Sequence, residues 1–219
     1  LKPSESVLPA ALKAAGYRTG IFGKWHVGWN PEFRPTEHGF DEFFGILLGN
    51  VDMFTLRYPD GSHGLWQNGE PVRESGYLTE LLGDRAAQFV DRNASNPFFL
   101  YLPFNAPHWP FQPPGQPSDA SSQWRDGERR DYGRMIESID QAVGKVVDAL
   151  KRNGLEENTL VIFTNDNGGE RLSDNGPLFH VKGTVWEGGI RVPGIAKWPG
   201  RIPKGHISKQ VCATMDFTA

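Results

Sequence analysis

Apolar residues recur at helical spacing in three stretches of the chain and run unbroken in several short ones. Val7, Leu8, Ala11, Leu12 and Ala15 predict a helix within Ser4 to Ala15, with Pro9 in its first turn and Gly16 as its stop. Leu78, Leu81, Leu82, Ala86, Phe89 and Val90 predict a second. Met135, Ile136, Ile139, Val143, Val146, Val147 and Leu150 predict a third, ending at Asn153-Gly154, with Glu137, Gln141 and Lys145 on its solvated face. Between them lie short runs that read as strands: Tyr17–Phe22, Phe98–Leu102, Leu160–Phe163 and a last one near Ile190–Trp198. The run Phe98-Phe99-Leu100-Tyr101-Leu102 is uniformly apolar, as expected of a strand covered on both faces. Helix and strand therefore alternate. That pattern predicts an α/β fold, a mostly parallel central sheet flanked by helices, with Leu160–Phe163 as its central strand.

Residues Trp29 to Ser75 break the rhythm. They hold Arg34, His38, Arg57, His63 and Trp66 among many Gly, Pro and Asp residues, with no sustained period. So long an irregular stretch is uncommon unless it is functional or disordered, and its aromatic content argues for a structured wall of a cleft. Composition excludes several classes. At 38% hydrophobic and 22% charged residues the chain has the make-up of a soluble globular protein. A net charge of −3 provides no basic field for nucleic acid, and no segment has the length and apolarity of a membrane span. Cys212 is the one cysteine, so there is neither an intrachain disulfide nor a thiolate cluster. The chain lacks an initiator Met, and Met215-Asp216-Phe217-Thr218-Ala219 reads as the first turn of a helix cut short. The expectation is a piece of a longer polypeptide, with any targeting signal outside it.

The candidate chemistry gathers where predicted strands end. After Leu160–Phe163 comes Thr164-Asn165-Asp166-Asn167-Gly168-Gly169, in which a carboxylate and an amide oxygen on consecutive residues suit a hard cation such as calcium or magnesium. The same residues equally suit a tight Asx-type turn, and spacing does not separate the two readings. After the first strand, Lys24 and His26 point to one side if strand geometry persists, a cation and an imidazole fit for an anionic or nucleophilic centre. His108 follows Phe98–Leu102 in an extended segment stiffened by Pro107 and Pro110. Ligands of open α/β sheets bind outside the carboxyl ends of the strands, so the three clusters share one expected address.

Four segments carry a family resemblance: Gly20-Ile21-Phe22-Gly23-Lys24-Trp25-His26-Val27-Gly28; Asn105-Ala106-Pro107-His108; Thr164-Asn165-Asp166-Asn167-Gly168; and the run Lys182-Gly183-Thr184-Val185-Trp186-Glu187-Gly188-Gly189-Ile190-Arg191-Val192-Pro193. In order and approximate spacing they resemble the type I sulfatases, arylsulfatase-like enzymes of the alkaline phosphatase superfamily. The resemblance implies hydrolysis of sulfate esters, of carbohydrates or aryl alcohols, at a calcium site by a formylglycine made from Cys or Ser. It implies that Lys24 and His26 orient the formylglycine hydrate. His108 and Lys182 would hold sulfate oxygens, with His108 also near the leaving oxygen, and Asp166 and Asn167 would be calcium ligands. Glu187 and Arg191 are expected to support their loop.

Two features of the family are missing from these residues. Neither a Cys/Ser-x-Pro-x-Arg nucleophile motif nor an adjacent aspartate pair near the N-terminus is present. The resemblance places both upstream of the first helix, so residues 1–219 are expected to be the central part of the catalytic domain, without the nucleophile segment and the C-terminal subdomain. Two other readings stand beside the sulfatase: a phosphoester hydrolase of the same superfamily, and a non-catalytic homologue that binds sulfated glycans. Family resemblance also implies export, to a periplasmic, extracellular or lysosomal space. Asn93-Ala94-Ser95 would be a glycosylation site in a eukaryotic secretory host.

Overall fold

The computed structural model describes residues 1–2, 5–117 and 126–218. Ser4 and Ala219, which the sequence reading placed in terminal helical turns, lie outside them. The chain divides into two compact units. The first comprises residues 1–153 with 171–174, and the second residues 154–170 with 175–219.

The first unit is built on a five-stranded sheet in the order β4-β3-β2-β1-β5. Its strands are β1 (Arg18–Lys24), β2 (Glu42–Ile46), β3 (Leu65–Gln67), β4 (Glu70–Pro71) and β5 (Phe98–Tyr101). β1 pairs in parallel with both β2 and β5, while β3 and β4 add antiparallel partners beyond β2. Alternation along β1 and β2 sends Ile21 and Phe43 into a cluster with Phe40 and Leu47. It sends Phe22 and Phe44 into the larger core on the opposite face, with Leu78, Leu82, Ala86, Phe89 and Met135. Both faces are covered, which is why these strands read as continuous apolar runs.

The helices match the periodic stretches. α1 (Leu8–Ala14) has Pro in its first turn, and Gly16 beyond its end has φ +89. α2 (Leu78–Arg92) buries Leu78, Leu82, Ala86 and Phe89. α3 (Arg129–Arg152) buries Met135, Ser138, Ala142, Ala149 and Leu150 and is capped by Asn153. On its outer face Glu137 and Gln141 are exposed, while Lys145 reaches Asp84 of α2 at 2.6 Å. No helix among the described residues has the length and apolarity to cross a membrane.

The fold differs from the sequence reading in three places. Three strands, β2, β3 and β4, lie in the stretch from Trp29 to Ser75, where none was predicted. β5 ends at Tyr101, one residue short of the expected strand, and stands at the sheet edge with Tyr101 48% exposed, while Phe98 and Leu100 pack against one apolar cluster and Phe99 against the other. The expected central strand forms as β6 (Val161–Thr164), but in the second unit. There it pairs antiparallel with β7 (Gly194–Lys197) in a two-stranded ribbon rather than within the parallel sheet. A short apolar run specifies a strand without specifying its neighbour.

Candidate functional site

Two polar clusters result, one in each unit. In the first, the parallel pairing of β1 with β5 brings their carboxyl ends to one edge of the sheet. The Lys24 N–H donates to the Pro103 carbonyl (2.8 Å), and the Trp25 and His26 N–H groups donate to Ile46 (2.9 Å) and Leu47 (3.1 Å). Backbones approach so closely here that only glycine fits. A Cβ on Gly23 would sit 2.0 Å from the Pro103 oxygen, and one on Gly45 would sit 1.9 Å from the Gly23 oxygen.

β1 ends at Lys24, and His26 has φ +59, so strand geometry does not persist to His26 as the sequence reading required. A non-glycine residue in the left-handed region is costly and is found mostly where surrounding structure imposes it, often at functional sites. The His26 ring is exposed and lies over Gly49, where a Cβ would stand 3.1 Å from Nε2.

His108 lies in a turn closed by its own N–H on the Asn105 carbonyl (2.9 Å), rather than in an extended segment. Its Nδ1 is 2.9 Å from the Trp109 carbonyl, and a carbonyl only accepts, so the proton of the neutral ring sits on Nδ1. Nε2 is then the ring nitrogen without the proton. Beyond the turn, Gln112 anchors the segment. It donates to Asp52 (2.8 Å), and its side-chain and backbone oxygens accept from the Met53 N–H and the Tyr77 hydroxyl (2.9 Å each). Burial pushes the Tyr77 phenol up to about 12.

At the same sheet edge Asn105 is only 3% exposed, and neither atom of its amide has a partner among the described residues; Asn50 Nδ2 is likewise buried and unpaired. Leaving such groups unpaired costs about 1–3 kcal/mol each, so a ligand or chain segment that bonded them would be favoured there. Nothing in the sequence pattern singled out Gln112 or Asn50, and Asn105 entered only as a member of the segment Asn105-Ala106-Pro107-His108.

The second cluster follows β6. Gly168 donates to the Gly189 carbonyl (2.9 Å), and a Cβ on Gly168 would lie 1.9 Å from the Gly188 oxygen, so the turn after Asp166-Asn167 seats directly on α4 (Glu187–Ile190). The Lys182 N–H donates to the Gly169 carbonyl (3.0 Å), which places the Lys182 loop beside the Asp166-Asn167 turn. Asn175 ties the two loops together: its Oδ1 accepts from the Gly169 N–H (3.0 Å), and its Nδ2 donates to the carbonyls of Gly169 (2.9 Å) and His180 (3.1 Å). Sequence reasoning missed Asn175, whose one signal is an Asn among turn residues. Arg191 returns to Glu187 within one turn, but both side chains are mostly exposed, so this pair contributes little.

Asp166 is exposed and Asn167 half-buried, a carboxylate and an amide oxygen on consecutive residues as a hard cation prefers. Among the described residues no group of three or more His, Cys, Asp or Glu side chains converges on one point. The pair therefore fits as two of the roughly six to eight oxygens that calcium takes. The sequon is not an acceptor in this fold. Asn93 is 8% exposed at the end of α2, and its Nδ2 donates to the Phe89 carbonyl (2.9 Å).

The family model described as Sulfatase matches residues 1–219. The N-acetylgalactosamine-6-sulfatase of Canis lupus familiaris is 38% identical over 232 residues, covering 97% of this chain and 43% of that protein. Arylsulfatase J of Mus musculus is 36% identical, covering 97% of this chain and 37% of its own length. A crystal structure of Ps i-CgsB in complex with k-i-k-neocarrahexaose superposes with a TM-score of 0.82 at 36% identity, over 93% of this chain and 49% of that one. The chain spans less than half the length of each of these proteins.

Proposed function

The chain belongs to the sulfatase family, and from that premise we propose that the protein hydrolyses sulfate esters, those of a carbohydrate ahead of those of a simple aryl alcohol. One observation supports the chemistry above the others. The loop of Lys182 and the Asp166-Asn167 turn are joined by a backbone hydrogen bond and by Asn175. The backbone that carries Lys182 is thus tied to the turn that carries Asp166 and Asn167, which supports a shared role for the three.

When bound, calcium supplies a fixed positive charge and formylglycine hydrate a nucleophilic oxygen. The Asp166 carboxylate and the Asn167 amide oxygen would hold the cation. Lys182 would donate to sulfate oxygens, over which negative charge spreads as the sulfuryl group transfers. In the first unit, Lys24 and His26 would orient the hydrate by hydrogen bonds. His108, its Nδ1–H directed to the Trp109 carbonyl, would bind a sulfate oxygen and present Nε2 as proton donor to the leaving oxygen. The Cys/Ser-x-Pro-x-Arg motif is not among these 219 residues. A carbohydrate substrate agrees with the printed names of N-acetylgalactosamine-6-sulfatase and of the neocarrahexaose complex, and with an exported protein.

The test uses the protein at its full encoded length. It should cleave nitrophenyl sulfate in preference to nitrophenyl phosphate. Lys182→Ala should lower kcat/KM by a hundredfold or more, about 3 kcal/mol of lost transition-state stabilisation. Asn167→Asp should tighten calcium binding, read by calorimetry, while slowing turnover, because a second carboxylate repels the sulfuryl oxygens by up to about 4 kcal/mol at ~4 Å. Preference for the phosphate ester would replace the proposal with the phosphoesterase reading. Calcium affinity unmoved by Asn167→Asp would return that turn to a purely structural role.

A further inference from the structure

Beside His26 the first unit has a cavity of about 230 Å³ that none of the proposed reaction roles uses. It is lined chiefly by Trp29, Arg34, Leu47, Leu48, Tyr58 and Trp66. Leu47 and Leu48 follow directly on β2, and the Leu47 carbonyl accepts the His26 N–H (3.1 Å), so the cavity shares a wall with the Lys24/His26 edge of the sheet. Trp29 keeps 64% of its surface exposed, an uncommon position for the largest side chain.

Arg34 frames the opposite side. Its guanidinium lies 4.7 Å from the Trp66 ring centroid, Nε donates to the Trp29 carbonyl (3.2 Å), and Nη1 donates to the Gly69 carbonyl (2.6 Å). One side chain thereby links the Trp29 backbone, β3 and the β3–β4 turn, and the wall is preorganised before any ligand arrives. Ligand pockets are mostly apolar and aromatic with a few orienting polar groups, and those for drug-sized molecules measure about 300–1,000 Å³. This one is smaller, and Trp29, Asn30, Arg34, Tyr58 and Trp66 are the lining residues with polar side-chain atoms.

We infer that this cavity is a sugar subsite: it takes one pyranose ring of a sulfated oligosaccharide, with Trp29 as the stacking face. A pyranose has an apolar C–H face and a hydroxyl edge, matching an aromatic wall with a sparse polar rim. The Arg34 charge favours a glycan that carries anionic substituents. The inference rests on the sulfatase reading and deepens it, because a ring bound here would neighbour the one presented to His26. Substrate preference would then be set by residues between Trp29 and Trp66 rather than by the reaction residues.

Binding is measured by calorimetry on the full-length protein, with singly sulfated tetrasaccharides of the N-acetylgalactosamine and galactose series. Nitrophenyl sulfate hydrolysis by the same wild-type preparation is followed separately. Trp29→Ala should weaken tetrasaccharide binding about tenfold or more, and Trp29→Phe should keep most of it, since a smaller aromatic face remains. The exposure of Trp29 leaves the core untouched in both variants, and a thermal melt verifies this. A wild type that hydrolyses the aryl sulfate but binds each tetrasaccharide no better than Trp29→Ala overturns the subsite and leaves the reaction standing. A wild type that hydrolyses no sulfate ester overturns the reaction, and the Trp29→Ala titration still decides whether the cavity holds a sugar. Absence of tetrasaccharide binding by wild type overturns the subsite outright.

Discussion

In β1 and β2 the side chains of Ile21, Phe22, Phe43 and Phe44 are at most 2% exposed, whereas in β6 and β7 Ile162, Phe163 and Ile195 are 43%, 41% and 60% exposed. Both regions end in a polar cluster that matches the family's motifs. In the first, the cluster stands on strands wedged between two apolar layers, and Gly23 and Gly45 let backbones touch beneath it. In the second, a two-stranded ribbon offers little burial of its own, and the loops after it are held by polar contacts through Asn175, Gly168 and Gly169. A reactive group can therefore be positioned by packing or by hydrogen bonding. The two supports should fail differently.

The largest expected contrast comes from truncating an equivalent strand residue in each region. Phe43→Ala should cost about 3–5 kcal/mol, because it empties a fully buried site. Ile162→Ala, at a half-exposed position, should cost about 1 kcal/mol or less. Urea denaturation reports both, and amide hydrogen exchange shows which strands open. Equal costs would mean that β6 is as buried in solution as β2, and the comparison would collapse.

A smaller effect should follow Asn175→Ala. Three hydrogen bonds are lost: the Gly169 N–H loses its acceptor, the His180 carbonyl loses the amide donor, and the Gly169 carbonyl keeps the Lys182 N–H alone. The expected cost is about 1–3 kcal/mol, confined to the second unit. Hydrogen exchange should quicken at Gly169 and Lys182 and stay unchanged at Ile21 and Phe43. Loosening in both units would show that the clamp is not local.

The smallest effect is one of pH, and it belongs to the packed region. Burial lowers the His38 pKa below its ordinary 6.5, so the unfolded chain takes up a proton more readily there. The stability this contributes is present above pH 6.5 and is lost as pH falls through the folded value. Burial pushes the Asp41 carboxyl up, but hydrogen bonds from Lys13 and Thr19 outweigh it and hold the group below 3.8. Its contribution is present above pH 3.8 and disappears as pH falls through the lowered value. Thermal melts across this range should show two successive losses. His38→Gln should remove the first and leave the second, and a profile with the first loss intact would reassign it to another group.

The periodic stretches were legible because helix formation is local. Residues three and four apart share a face whatever the rest of the chain does, and α2 and α3 fall where their apolar spacing predicts. The candidate residues of the proposed reaction, Lys24, His26, His108, Asp166, Asn167 and Lys182, were picked out from short motifs whose order is a property of the chain itself.

Tertiary structure decided what depends on distant partners. β2 reads as Glu42-Phe43-Phe44-Gly45-Ile46 among turn residues, and it becomes a strand by pairing with β1 some twenty residues away. β6 was recognisable as a strand, but its partner was not, since each strand edge offers the same unpaired N–H and C=O groups to whichever chain reaches them. His26 turns into the left-handed region where its N–H meets the Leu47 carbonyl, and Asn175 becomes a clamp only where Gly169 and His180 converge on it. Local spacing therefore determined the helices and the most apolar strands. The surroundings of the candidate residues were decided by hydrogen bonds and close backbone contacts between segments far apart in sequence, which no local period encodes.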